Sequence, residues 1–379
     1  MMIEYILWGI FIFLLIFYSA FLISILNGLN KLKSSKSNPI PEEFVSVIIP
    51  FRNESENIIA NVKSIIKQNY PDDFYEVLYI NDNSSDDSLQ LLTEFSKPDR
   101  IKVFSLPDNN SPNAHKKRSI AYGIEKSKGE LIVTTDADCF YSENWLRSLL
   151  SNFDPETGFI SGPVEFIEEE NLFSRIQKLE LAGLILTGAG LIGADRPIIC
   201  NGANIAYRKK IFDEVGGFKD QINLSSGDDE LLMQKIAMET KYKIGFSLNH
   251  DSIVKTKCNA GINNFYQQRK RWASKGLFYK NTNLIIMLLL IFLFYFGLII
   301  QPFLILFLST SFVFILLLSV IIKLLLEYLI IRKGKKMLFP NLSLKEFILA
   351  EILHVPYIIV SGFAGMFGNL KWKERKIKR

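Results

Sequence analysis

Val45-Ser-Val-Ile-Ile-Pro-Phe-Arg-Asn-Glu54 begins as a compact, largely β-branched run and closes on a polar loop behind a proline. Val77-Leu-Tyr-Ile80, Ile101-Lys-Val-Phe104 and Leu131-Ile-Val-Thr-Thr135 are further short apolar runs with the length and residue types of buried strands. Between these runs, residues 54–68, 86–95 and 113–128 have the length and apolar spacing of helices. Strand and helix in alternation predict an α/β fold with right-handed crossovers and a mostly parallel sheet covered on both faces. In such sheets ligands gather beyond the carboxyl ends of the strands. Polar loops occupy those ends here: Pro50-Phe-Arg-Asn-Glu54, Asn81-Asp-Asn-Ser-Ser-Asp86 and Asp136-Ala-Asp138.

This α/β segment, residues 31–280, lies between apolar ones. No charged residue occurs from Tyr5 to Asn30, which exceeds the roughly 20 residues that a spanning helix needs and predicts an anchor over 1–30. A secretory signal fits less well, because Glu4 precedes the run where Lys or Arg is expected and the run is too long for a signal core. A second uncharged run, 281–322, is interrupted by Gln301-Pro302 and continues apolar to Ile331 around Lys323 and Glu327, predicting two closely joined membrane helices within 281–331. Residues 332–379 read as a cytosolic basic loop, a membrane segment over 347–370 and a basic tail. Glu351, His354 and Pro356 are costly in lipid, so that segment is expected to be interfacial or re-entrant. Residues 31–41 read as a basic linker rich in Ser, Asn and Pro.

The charge balance, 44 basic against 39 acidic residues, is too even for a nucleic-acid footprint. Cys139, Cys200 and Cys258 are far apart and without clustered histidine, which argues against both a disulfide framework and a zinc site. A reducing compartment is expected for the α/β segment.

Asp136-Ala-Asp138 places two carboxylates one residue apart beyond a buried strand. They suit a hard cation such as Mg²⁺ or Mn²⁺, which completes its shell with substrate phosphates and so implies a diphosphate. An acidic loop capping the next helix is the plainer alternative. Asp82 ends a second strand, where it can accept a hydrogen bond from a nucleobase or close an Asx turn. Gly227-Asp-Asp-Glu230 starts a helix; capping explains Asp228, while a second and third carboxylate leave one as a candidate general base. Gln268-Arg-Lys-Arg-Trp272 precedes the membrane. It suits either a membrane-surface stripe or a diphosphate clamp, Arg271, beside an aromatic sugar platform, Trp272. Cys200-Asn-Gly-Ala-Asn204 reads as an acceptor-side loop or a simple turn. The uncharged stretch 181–194 reads as an interfacial or a buried helix, and Lys116 and Lys117 as a solvated helix face in preference to phosphate contacts.

In this order the residues resemble the inverting family 2 glycosyltransferases of the GT-A fold, over about 44–272. The resemblance implies Pro50 and Glu54 beside the base and ribose, Asp82 as the base-binding carboxylate, and Asp136-Ala-Asp138 as the metal motif, with Asp138 the metal ligand and Asp136 on the substrate. It also implies Asp229 as catalytic base, with Asp228 standing where the family has Glu. Gln268, Arg271 and Trp272 match the Gln-x-x-Arg-Trp motif of processive synthases and ceramide-glucosyltransferase-like enzymes, and the Trp-containing basic tail is loosely similar to the latter. Asn81 departs from the pair of aspartates usual in the family. The expected function is transfer of a sugar, with inversion, from a nucleotide-sugar, a UDP-sugar foremost, to a lipid or lipid-linked acceptor. Competing readings are a processive polysaccharide synthase and a non-catalytic nucleotide-sugar-binding scaffold. Lys31, Lys33, Lys36 and Arg332-Lys-Gly-Lys-Lys336 predict a multi-pass protein of the cell (inner) membrane with its catalytic domain in the cytosol.

Overall fold

The computed structural model describes residues 2–33, 43–95, 97–107, 115–167, 171–221, 227–279, 281–367, 370–372 and 375–377. The 31–41 linker beyond residue 33, Gly368 and the ends of the basic tail lie outside the described residues. The chain divides into two compact units, one of residues 28–168, 187–258 and 371–379, the other of 1–27, 169–186 and 259–370.

The chain starts with α1 (Met2–Lys31) and enters the first unit as β1 (Val45–Phe51), α2 (Ile58–Ile66), β2 (Tyr75–Asn81), α3 (Ser88–Glu94), β3 (Ile101–Ser105), α4 (His115–Lys126) and β4 (Leu131–Thr134). These four strands are the four expected, lengthened or shortened by a few residues. Parallel pairing of β1 with β2 and β4, and of β2 with β3, gives the order β3-β2-β1-β4. The chain therefore reverses its direction of travel across the sheet between β1 and β4, the switch point at which a ligand cleft opens. Every residue of β2 and β4 is buried, as strands covered on both faces must be.

The remainder of the sheet is mixed. After β5 (Cys139–Phe140) and α5 (Trp145–Leu150) come β6 (Thr157–Ser161), β7 (Val164–Phe166), α6 (Leu172–Gly193), β8 (Ile205–Arg208), α7 (Lys209–Glu214), α8 (Glu230–Glu239), β9 (Lys243–Phe246) and β10 (Val254–Thr256). Antiparallel β8 joins β4 to β6, and β9 closes the seven-stranded sheet parallel to β6. A three-stranded sheet, β5-β10-β7, forms beyond the end of β4.

The second unit holds α1 to residue 27, α6 to Leu186, and α9 (Ile262–Ala273), α10 (Thr282–Phe307), α11 (Phe312–Met337) and α12 (Phe347–Phe367). Among the described residues, five helices, α1, α6, α10, α11 and α12, are long and apolar enough to cross a membrane. The 281–331 region forms two helices as expected, but the break falls elsewhere. Pro302 lies inside α10, and the turn comes at residues 308–311, around Ser309 and Ser311. A proline within an apolar helix is tolerated where neighbouring groups re-satisfy the backbone, so it is a weak terminator there. Helix α11 likewise runs past the expected end at Ile331 through the basic residues to Met337. The 181–194 stretch is the second half of α6, whose most apolar window is 67% buried, which decides for a packed helix.

Charged side chains inside this unit are paired with one another. Lys323 bonds Glu327 at 2.6 Å and also pairs with Glu351; Glu327 accepts from Tyr18 and from Tyr295. One polar cluster thus ties α1, α10, α11 and α12 together, as an apolar surround requires. Helix α12 packs along α9, with Tyr357 against Phe265 and Gly365 against Ala273; a Cβ on Gly365 would come within 2.8 Å of the Ala273 Cβ.

Candidate active site

Because β1, β2 and β4 are adjacent and parallel, the loops after them emerge at one edge of the first unit. Two of these loops are clasped together. The Asp82 amide donates to the Phe51 carbonyl, Arg52 donates to the Asp82 carbonyl at 2.7 Å, and Asn53 accepts from the Ser85 amide at 2.9 Å. The Glu54 amide donates to Ser88 Oγ at 2.7 Å and the Ser55 amide to Asp86 at 3.0 Å. Burial opposes the Asp86 charge, but the Ser88 hydroxyl and amide, together with the Ser55 amide, donate to it and hold the carboxyl below its usual range. The clasp accounts for α2 starting at Ile58 rather than at residue 54: the intervening residues serve the loop. Pro50, Glu54 and Asp82 are brought together here, with Asp82 5% exposed.

Asn81, the departure from the family pattern, belongs to the frame. Its Oδ1 accepts from the Ser84 amide at 3.0 Å and its Nδ2 donates to Ser105 at 3.3 Å. An aspartate could supply the first bond but could not donate the second; the Ser105 hydroxyl would have to donate to it instead.

The Asp136-Ala-Asp138 turn is held from behind by a buried polar network. Asn61, fully buried on α2, donates to the carbonyls of Asp136 and Cys139 and to the Tyr141 hydroxyl, and accepts from Tyr79 at 2.6 Å. Burial pushes the Tyr79 and Tyr141 phenols well up, so both remain neutral donors. With Ala137 packed inward, Asp136 and Asp138 are both half-buried. Sequence reading passed over Asn61. Its signal was a polar residue in the apolar stripe Ile58, Val62, Ile65.

A correction concerns Lys116. It is not on a solvated face: its Nζ lies 2.7 Å from Asp136 Oδ1 and 3.1 Å from Asp228 Oδ2, and the neighbouring Lys117 is 1% exposed. Burial disfavours the Lys116 ammonium, yet Asp136 and Asp228 outweigh it and raise its pKa above the ordinary value. The ammonium thus draws Asp136 and Asp228 to one point.

Gly227 has φ +85°, a left-handed conformation that favours glycine, and it turns the chain into Asp228-Asp229. The two aspartates then divide the work differently from the capping role weighed for Asp228. Asp229 caps α8, accepting from the Glu230 amide at 2.7 Å and from the Gly202 amide at 3.0 Å. Asp228 instead joins Asp136 at Lys116. The Cys200–Asn204 loop thus reaches Asp229 through the Gly202 amide. Asn204 anchors it through the carbonyls of Pro163 and Ser252 and the Trp145 indole.

Gln268, Arg271 and Trp272 lie on α9, in the other unit. Among the described residues, the one trio of potential ligands with donor atoms within 4.8 Å of one another is Glu327, Glu351 and His354, also in that unit. There Lys323 already bonds both carboxylates.

A mixed sheet with a β1/β4 switch point, clasped polar loops and an Asp-x-Asp turn at its carboxyl edge defines a GT-A-like fold, joined here to apolar helices at both ends. Residues 46–216 match the glycosyl transferase family 2 model. The chain is 24% identical over 255 residues to poly-beta-1,6-N-acetyl-D-glucosamine synthase of Staphylococcus epidermidis, covering 65% of this chain and 58% of that one. It is 28% identical over 221 residues to glycosyltransferase AglE of Haloferax volcanii, covering 55% of this chain and 66% of that one. Each of these relatives is thus spanned over less than two thirds of its length. Among solved structures, the mannosyltransferase PcManGT from Pyrobaculum calidifontis in complex with GDP-Man and Mn²⁺ aligns at TM-score 0.58 and 17% identity, over 95% of this chain and 99% of that one. That likeness supports the fold.

Proposed function

We propose that this chain is an inverting, metal-dependent glycosyltransferase that takes a sugar from a nucleotide-sugar and adds it to a membrane-associated acceptor. The observation that carries the reading is the convergence of Asp136 and Asp228 on one cation, the Lys116 ammonium, at the Asp-x-Asp turn that also bears Asp138 and at the edge where the clasped loops hold Asp82. Asp82, Pro50 and Glu54 form the nucleoside side, and a UDP-sugar is the expected donor. Asp138, assisted by Asp136, would hold Mg²⁺ or Mn²⁺, which when bound neutralises the leaving diphosphate. Asp229 takes the acceptor proton as the hydroxyl oxygen forms its bond to the anomeric carbon. The bond from that carbon to the phosphate oxygen breaks, and its electron pair leaves with the nucleoside diphosphate. Attack from the opposite face inverts the configuration. Lys116 supplies positive charge beside the carboxylates. Arg271, Gln268 and Trp272 are assigned to phosphate and sugar by the motif they share with synthases.

For the acceptor, the relatives favour a growing polysaccharide over the lipid expected from sequence, since one is a named polymer synthase. Transfer to a lipid remains the second reading, favoured by α9, which carries the Gln-x-x-Arg-Trp residues and packs on the apolar α12. The basic residues after α1 and at the end of α11 support a cytosolic catalytic unit, and the packing of α12 along α9 supports a re-entrant α12. The test is incubation of the purified chain in lipid with UDP-N-acetylglucosamine, UDP-glucose or GDP-mannose and Mn²⁺, followed by product sizing. Ladders indicate a polymer and single lipid adducts the second reading. Absence of both transfer and nucleoside diphosphate release would return the chain to the scaffold reading.

A further inference from the structure

We infer that Arg269 and Glu180 form a positioning pair that sets the conformation of Gln268 and Trp272; this rests on the proposed transfer reaction. Arg269 occupies an unassigned position of Gln268-Arg-Lys-Arg-Trp272, yet it is the most buried residue of α9, at 2% exposure. All three nitrogens of its guanidinium are engaged. Nε bonds Glu180 Oε1 at 2.9 Å, Nη2 bonds Glu180 Oε2, and Nη1 bonds Gln268 Oε1 at 2.6 Å. Its faces are engaged as well, with the ring centres of Trp272 and Phe265 at 4.1 Å and 4.7 Å.

Two motif residues therefore touch one cation, and that cation is fixed from a different helix, since Glu180 lies on α6. Glu180 is itself held by Tyr357 of α12, whose hydroxyl donates to Oε1 at 3.2 Å. The Gln268 carbonyl oxygen accepts from Asn259 as well, at 3.0 Å, and Asn259 bonds Gln177 of α6. With its oxygen taken twice, Gln268 has its amide orientation fixed and keeps Nε2 as the donor end for a phosphate or hydroxyl oxygen. Trp272 is pinned by the stacked guanidinium, which sets the plane it offers to a sugar.

A forked, planar guanidinium suits this junction and an ammonium does not: lysine offers one point charge and cannot bond Glu180 twice while reaching Gln268. An ion pair this deep is a poor source of stability compared with apolar packing, because both charges lose their hydration. Its geometric effect on two motif side chains gives it a purpose that packing alone would not.

The experiment uses the full chain in lipid nanodiscs, with Glu180→Gln, Glu180→Asp and Arg269→Lys. The readouts are kcat and KM for whichever of UDP-N-acetylglucosamine, UDP-glucose or GDP-mannose the wild type turns over, the unfolding midpoint, and hydrogen exchange across residues 262–273. Glu180→Gln and Arg269→Lys are expected to lower kcat about 10- to 100-fold, the scale on which ångström misplacement acts. Donor KM should stay near wild type, exchange should rise within α9, and Glu180→Asp should recover part of the rate. Unchanged kcat in all three variants, or losses that only follow the folded fraction, would overturn the inference. If the wild type turns over none of the donors, the proposed function fails instead, and exchange decides the pair: a rise confined to α9 upholds it and none refutes it.

Discussion

Replacing Asp229 by asparagine tests the division of labour between the two adjacent aspartates. In the folded chain the Asp229 carboxylate accepts from two backbone amides, Gly202 at 3.0 Å and Glu230 at 2.7 Å. An amide keeps one acceptor oxygen and turns a donor towards the other N–H, so one charge-assisted bond is lost at about 1.5–3 kcal/mol. For a unit of this size that lowers the unfolding midpoint by about 3–12 °C, which leaves the protein folded at assay temperature. The catalytic effect is larger. An amide cannot accept the hydroxyl proton, and removal of a general base costs about 10²–10⁴ in rate. Asp229→Asn should therefore bind UDP and Mn²⁺ by calorimetry almost as wild type, unfold a few degrees early, and show a kcat at least about a hundredfold lower. The parallel variant, Asp228→Asn, removes one of the two carboxylates on Lys116 and should act on donor and metal binding. Normal transfer by Asp229→Asn together with an inactive Asp228→Asn would refute this assignment and move the base to Asp228.

Asp138→Asn, or excess chelator on the wild type, should nearly abolish turnover, and full activity in chelator would remove the metal from the scheme. Lys116→Met leaves Asp136 and Asp228 without their cation; because Asp136 is about a third exposed, the stability loss should be modest, about 1–3 kcal/mol by denaturant titration. No loss there would mean the ammonium holds nothing together. The depressed Asp86 carboxyl contributes stability above its unfolded pKa of about 3.9, and that contribution disappears as pH falls through the folded value. Acid should accordingly destabilise wild type more than Asp86→Asn between about pH 5 and pH 2, and identical acid profiles would show that the loop clasp does not depend on this charge. Lys323→Met strands Glu327 and Glu351 in an apolar surround, so the membrane unit should lose about 3–5 kcal/mol, read as earlier thermal aggregation in detergent; an unshifted midpoint would count against the cluster as a structural tie.

The α/β class, the four parallel strands and the loops bearing Asp82, Asp136 and Asp138 were legible in sequence, because buried strands require unbroken apolar runs and each run here ends at a polar loop. Apolar length likewise announced α1, α10 and α11, since a membrane span is set by hydrophobicity along the chain. Other features depended on residues distant in sequence. Lys116 looked like a surface lysine because its partners are 20 and 112 positions away; helical spacing carries no record of them. Asp228 and Asp229 are adjacent carboxylates with identical chemistry, and only the turn at Gly227 and the amide of Gly202 decided which one caps α8 and which one meets Lys116. The break between α10 and α11 falls at the Ser309–Ser311 turn rather than at Pro302, because a proline inside an apolar helix is a weak terminator. Sequence determined which groups could carry the chemistry, since that is fixed by residue type and local pattern. Their partners were decided by tertiary structure, because hydrogen bonds and ion pairs depend on distances of about 3 Å that only the folded chain creates.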